Sequence, residues 1–102
     1  MSPDRVMSER RDASDRLSFD FNNIPRALYS KITKSIVSEF GLVSVGSKTN
    51  GLDEVFQDFT LDGHTVGLEW DIWSGYIVHA NNESSEGLAR KIAGYIGARF
   101  DS

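Results

Sequence analysis

The hydrophobic residues between positions 24 and 40 recur at the spacing of an α-helix. The face predicted to be buried consists of Ile24, Leu28, Tyr29, Ile32, Ile36, Val37 and Phe40. Asn23 is a suitable N-cap, Pro25 fits the first turn because no amide N–H is needed there, and Gly41 follows as a C-terminal stop. The pattern therefore predicts a first helix over residues 24–40.

Residues 42–80 alternate between apolar and polar side chains, which is typical of strands with one buried face. The predicted strands cover residues 42–45, 55–61, 65–72 and 76–80. Asp62 and Gly63 form a dipeptide favoured in two-residue hairpin turns, and residues 73–75 are predicted to form a three-residue connection. Such short connections require antiparallel neighbours, so we expect a meander of about four strands.

The three-residue connection determines the predicted register of the last two strands. Trp70 then lies opposite Val78, and Ile72 lies opposite Tyr76, which keeps one continuous apolar face. We expect Trp70 at the centre of the core, between the sheet and the helices. Trp73, at the turn, has no predicted role in the core.

The C-terminal part of the chain has a second helical pattern. Residues 81–84 break the last strand and offer helix caps. The buried positions predicted for this helix are Leu88, Ala89, Ile92, Ala93, Tyr95, Ile96 and Phe100. Gly87, Gly94 and Gly97 each weaken the helix by about 1 kcal/mol relative to alanine. We therefore expect these glycines to allow close packing against another surface, such as a second copy of the chain.

The predicted order of one helix, four strands and one helix defines an α+β fold. We expect a two-layer sandwich in which an antiparallel meander sheet carries both helices on one face and exposes the other. Residues 1–18 contain four acidic and four basic residues with scattered apolar ones, so they are predicted to form a mobile tail. Residues 19–102 are predicted to form a single globular domain.

Charge and cysteine content narrow the classes of function. Eleven Lys and Arg against fifteen Asp and Glu give a net charge of −4, which disfavours binding to nucleic acid through phosphate contacts. The sequence has no cysteine, which excludes disulfides and cysteine-ligated metals, and we expect no cofactor. No apolar run is typical of a secretory signal or a membrane span, so we expect a cytoplasmic protein without a membrane partner.

Acidic and aromatic residues are concentrated on the predicted open face of the sheet. Residues 39–71 contain seven acidic residues and a single basic one, Lys48. The predicted site on this face consists of Phe56, Asp58, Glu69, Asp71, Trp73 and His79. Opposite charge accelerates the encounter with a partner, and buried aromatic side chains supply affinity. We therefore predict that this face binds a protein partner with a basic surface.

A small, acidic, cysteine-free α+β protein with a tryptophan-bearing sheet resembles the immunity proteins that neutralise bacterial toxins. The resemblance implies an inhibitor, immunity or adaptor protein that acts by direct contact and without catalysis.

Three alternatives to this function are a small enzyme, a metal site, and a homodimer formed through the uncovered sheet or the glycine-bearing helix. Glu69 beside His79 would form an acid–base pair in a small enzyme. A metal site would recruit His79, Glu69, Asp71 and His64, but neither histidine has the spacing of a metal-binding motif, so we expect no metal. The third alternative is a homodimer that binds a small ligand between its subunits.

Overall fold

The computed structural model describes residues 7–100, which contain a six-stranded antiparallel sheet and two α-helices. The strands are β1 (Met7–Arg11), β2 (Leu17–Phe21), β3 (Val43–Asn50), β4 (Glu54–Leu61), β5 (His64–Asp71) and β6 (Gly75–Ala80), and the helices are α1 (Tyr29–Phe40) and α2 (Glu86–Arg99). The strands lie in the order β1-β2-β6-β5-β4-β3. Both helices pack on one face of the sheet, here called the inner face. The opposite face is called the open face.

The α+β class is confirmed, whereas the predicted strand number and element order are wrong. Two strands precede the first helix, so the order is ββαββββα rather than αββββα. Residues 7–18 of the predicted mobile tail form β1, the turn after it and the start of β2. Residues 1–6 of that tail lie outside the described residues.

Strand β2 belongs to the hydrophobic core. It lies between β1 and β6, and its alternate side chains Leu17, Phe19 and Phe21 are at most 3% exposed. Phe19 and Phe21 pair with Val78 and Tyr76 of β6, which also belong to the core. The alternation from Leu17 to Phe21 is a strand pattern of period two, but it follows a polar stretch that has none.

Strand β1 pairs with β2 along its whole length, but four of its five residues are exposed, so ion pairs rather than apolar contacts connect most of its side chains to the rest of the protein. The guanidinium of Arg10 lies 2.6 Å from the carboxylate of Asp20 on β2. Arg11 donates two hydrogen bonds, of 2.8 and 3.0 Å, to the carboxylate of Glu86 at the start of α2. Ion pairs leave no apolar periodicity in the sequence, which explains why the pattern does not predict this strand.

Hydroxyl groups and aromatic rings attach helix α1 to the middle of the sheet. Tyr29 donates its hydroxyl to the carbonyl of Leu68 at 2.5 Å, and the hydroxyls of Thr33 and Tyr76 are 2.6 Å apart. The rings of Tyr29 and Tyr76 pack with centroids 5.4 Å apart. Helix α2 lies beside α1 and contacts β2, β5 and β6. Neither helix within residues 7–100 is long and apolar enough to cross a membrane.

Strands β5 and β6 pair in a register two residues away from the predicted one. Trp70 lies opposite Tyr76 rather than Val78, and the connecting loop consists of residues 72–74. Because the shift is an even number of residues, the paired side chains stay on their predicted faces, but Ile72, predicted to lie inward opposite Tyr76, is instead exposed in the loop. Trp70 faces inward but lies at one end of the core, where it is half-buried and donates its indole N–H to the carbonyl of Ile24 at 2.9 Å.

The residues predicted to end α1 and to form the β4–β5 turn have the expected backbone conformation. Helix α1 itself begins later than predicted. Gly41 adopts a left-handed conformation at the end of α1, and Asp62 and Gly63 both have positive φ, as a two-residue hairpin turn requires. A short 3-10 turn over Arg26–Leu28 precedes Tyr29, and Pro25 rather than Asn23 stands before that turn.

The three glycines of helix α2 face open space. An added Cβ would meet no atom within 4 Å at Gly87, Gly94 or Gly97. The close packing predicted for these glycines is therefore not present within the described residues.

Replacing Phe19 tests whether β2 is part of the core. Phe19→Ala should lower the free energy of unfolding by about 3–5 kcal/mol, because it leaves a cavity under the helices. Phe56→Ala is the matched control, since Phe56 also lies on a strand but is 39% exposed, and it should cost less than about 1 kcal/mol. Urea denaturation measures both, and equal losses would contradict the placement of β2.

Two glycines should respond to alanine in opposite directions. Gly75 has a φ of +75°, and a Cβ there would clash with the carbonyl of Phe21, so Gly75→Ala should destabilise the protein by at least about 1–3 kcal/mol. Gly94→Ala should stabilise it by about 0.5–1 kcal/mol, because alanine favours the helix and meets no neighbour. Thermal denaturation of both variants checks this, and a destabilised Gly94→Ala would show that the helix packs more closely there.

Candidate binding surface on the open sheet face

The structure places the six residues of the predicted site on the open face and at one end of it. Phe56 and Asp58 lie on β4, Glu69 and Asp71 on β5, His79 on β6 and Trp73 in the loop between β5 and β6. Phe56 pairs directly with Glu69, as the sequence predicts. Gly67 pairs with both Asp58 and His79, so it lies at the centre of the group.

Two carboxylates converge above Gly67. An ideal Cβ on this glycine would lie 2.7 Å from Oε2 of Glu69 and 3.3 Å from Oδ1 of Asp58. The absence of a side chain at Gly67 therefore leaves room for these two carboxylates to lie over the middle of the open face. Ionised carboxylates only accept hydrogen bonds, so this arrangement suits the ammonium or guanidinium group of a partner.

The environment of Glu69 makes its charged form costly. Burial is the largest cause and raises the pKa of Glu69 above its ordinary value. The neighbouring carboxylates of Asp58 and Asp71 raise it further, while the proximity of His79 lowers it. A cationic group placed beside Glu69 would relieve this cost because it favours the ionised carboxyl.

Glu69 and His79 are not direct neighbours across the strands. Glu69 pairs with Ile77, and His79 pairs with Gly67, because the β5–β6 register differs from the predicted one. The side chain of His79 contacts Asp12 in the turn between β1 and β2, with its Nε2 3.4 Å from Oδ2 of the carboxylate. The pairing on which the acid–base alternative depended is therefore diagonal.

The side chain of Asp71 shapes the loop that carries Trp73. Its Oδ1 accepts hydrogen bonds from the backbone N–H of Trp73 at 3.0 Å and of Ser74 at 2.6 Å. The loop thus holds Trp73 outward, with 79% of the residue exposed. Asp71 acts here on loop conformation as well as on surface charge, a role that sequence reasoning missed.

The structure adds exposed apolar residues that the sequence analysis did not assign to the site. Leu52 and Ile72 lie in loops at the same end of the sheet, which are joined by a 3.1 Å hydrogen bond from the N–H of Ile72 to the carbonyl of Asp53. Val43 and Val45 pair with open-face residues of β4 and are also exposed. The Val-Ser-Val alternation is the signal that could have placed them.

His64 lies away from this group, at the hairpin end of β5. Its Nδ1 is buried without a hydrogen-bond partner among the described residues. Within residues 7–100, no three or more His, Asp or Glu side chains are grouped so that they could hold a metal ion.

The raised pKa of Glu69 predicts how stability changes with pH. A carboxyl whose pKa is higher in the folded than in the unfolded protein costs stability once pH rises through that folded pKa. Glu69→Gln should therefore be more stable than the wild type at pH 7. At pH 3.5, below the ordinary value of 4.5, this gain should disappear. Urea denaturation of both proteins at the two pH values measures it, and an equal gain at both would exclude ionisation as its cause.

Comparisons with known proteins give this surface no precedent. No protein-family model, no characterised protein and no solved structure matches the chain.

Proposed function

We propose that the protein is a small non-catalytic binding protein whose open face contacts a protein partner with a basic surface. The observation that carries this proposal is the placement of exposed apolar residues among carboxylates. Most of the large hydrophobic residues exposed within residues 7–100 lie on the open face or at its loop end, namely Val43, Val45, Leu52, Phe56, Ile72 and Trp73. Leu28 is the exception.

The acidic side chains of this face supply charge complementarity. Glu54, Asp58, Glu69 and Asp71 project from two adjacent strands and face the same side as Phe56. A basic partner would be attracted before contact, and one of its cationic side chains would pair with the carboxylates of Asp58 and Glu69 that lie over Gly67. Acidic residues therefore contribute to the rate of association and to the choice of partner.

The aromatic residues supply the contact area. Trp73 is held outward by its loop, and Phe56 lies beside Glu69 on the sheet. Tryptophan is enriched among the residues that dominate binding energy, because a large rigid ring buries much area at little cost in side-chain entropy. Inhibitor, immunity and adaptor proteins all act by contact of this kind, and each would use the face in the same way.

The charge contribution is tested with substitutions that leave the Trp73 loop intact. Asp71 is unsuitable because it holds that loop, so the variant combines Asp58→Asn with Glu54→Gln. Partners captured from the cells that produce the protein are identified by mass spectrometry and then measured by surface plasmon resonance. The double variant should slow association and reduce its salt dependence while leaving stability nearly unchanged.

The contribution of the aromatic residues should instead appear in the dissociation rate of the complex. Trp73→Ala should raise the dissociation rate at least about tenfold, which corresponds to the loss of one anchoring residue. Lys31→Ala and Lys34→Ala, on the outside of α1, serve as controls. Arg26 is not a suitable control, because it donates hydrogen bonds to the carbonyls of Gly51 and Leu52. A partner that is lost with the lysines and retained by the open-face variants would contradict the proposal.

His79→Ala separates this proposal from the acid–base alternative. A binding surface should tolerate the loss of one imidazole at its border with only a small change in affinity. An enzyme that uses Glu69 and His79 would lose activity instead, with binding retained.

A further inference from the structure

A groove lies on the inner face of the sheet, on the opposite side from the proposed binding surface. Helix α1 forms one wall, and strands β3 and β4 form the other. Its volume is about 340 Å³, within the range of small-molecule sites. Tyr29, Val37 and Phe59 provide apolar lining. The groove exists because the helices cover β2, β6 and β5 and leave β3 exposed along its whole length.

Two hydroxyl groups in the floor of the groove already have hydrogen-bond partners. The hydroxyl of Tyr29 donates to the carbonyl of Leu68, and the hydroxyl of Thr33 bonds to that of Tyr76. A polar ligand group placed against these two hydroxyls would therefore lose its hydrogen bonds to water without replacing them, whereas the other uncharged polar side chains of the lining belong to Ser30, Ser38 and Gln57. The buried part of a ligand should accordingly be apolar.

Two lysines border the groove, Lys34 on α1 and Lys48 on β3. Neither takes part in an ion pair within residues 7–100, whereas Arg10, Arg11 and Arg90 each pair with a carboxylate. Lys48 is also the single basic residue between positions 39 and 71. The rim of the groove is thus locally cationic in a protein of net charge −4.

We propose that this groove binds a small amphiphilic carboxylate with a medium-length aliphatic chain. The chain lies between α1 and β4 against Tyr29, Val37 and Phe59, and the carboxylate lies at the rim between Lys34 and Lys48. An added peptide strand is disfavoured, because the edge strand β3 changes register between Val45 and Thr49 and carries a lysine there. This site is independent of the open face.

A homologous series of fatty acids tests the chemistry. Hexanoate, octanoate and decanoate, titrated below their micelle-forming concentrations in a calorimeter, should bind with affinities that rise about fourfold for each added methylene until the groove is full. Decylamine has the same tail as decanoate with a positive head group, and it should bind at least tenfold more weakly. Equal binding of the two, or no binding of decanoate, would overturn the proposal.

Variants then locate the site. Lys34→Ala and Lys48→Ala should each weaken decanoate binding about two- to fivefold, as expected for an exposed ion pair. The matched control is Lys31→Ala on the same helix, which does not line the groove and should change nothing. Val37→Trp should fill the groove and remove binding, with circular dichroism confirming that the variant folds.

Trp73→Ala tests whether the groove and the open face are independent sites. It should weaken partner binding at the open face and leave decanoate binding unchanged, so the two proposals can fail separately. Decanoate binding that is insensitive to both groove lysines, or that is lost in Trp73→Ala, would place the ligand elsewhere and overturn this assignment.

Discussion

Two helices are too narrow to cover one face of a six-stranded sheet, and this constraint shapes the exposed surfaces of the protein. Six strands span about 24 Å between the edge strands, and two helices packed side by side span about 20 Å. Helix α2 lies over β2 and β6, and α1 follows over β5. Strand β3 extends beyond them, which leaves the groove beside α1 on one face. The other face has no helix at all.

The position of β2 makes this arrangement possible. Because β2 pairs with β6 rather than with β3, the chain must cross the sheet through α1 before the meander begins at the far edge. Leu17, Phe19 and Phe21 complete the apolar surface on which α2 packs. The ion pair between Arg11 and Glu86 then ties β1 to the same helix.

Much of this fold is predictable from periodicity, and the exceptions have physical reasons. The β4–β5 hairpin follows from alternation on both sides of Asp62 and Gly63, and its register is as expected. Strand β1 could not be predicted in the same way, because backbone pairing with β2 and exposed long-range ion pairs place it, and neither leaves an apolar pattern in its own sequence. The β5–β6 register depends on the carboxylate of Asp71 holding residues 72–74 as the loop, an interaction that turn statistics alone do not identify.

In the candidate site, the face on which each residue lies was predictable, but the contacts between its side chains were not. Alternation assigns Phe56, Asp58 and Glu69 correctly to one face. His79 also stays on that face, because the register error between β5 and β6 is an even number of residues. Which side chains meet on that face depends on register, so the contact of His79 with Asp12 was not predictable. The groove was also not predictable, because it depends on where α1 lies across the sheet. The open face, with its acidic and exposed apolar residues, and the groove bordered by two lysines lie on opposite sides of the sheet.

Cross-saturation NMR on the complex with a captured partner shows directly whether the open face is the binding surface. Saturation of the partner's protons should attenuate the indole N–H of Trp73 and the amides around Phe56 and Gly67, with little effect on α1 and α2. Attenuation confined to the helices, with Trp73 unaffected, would contradict the account.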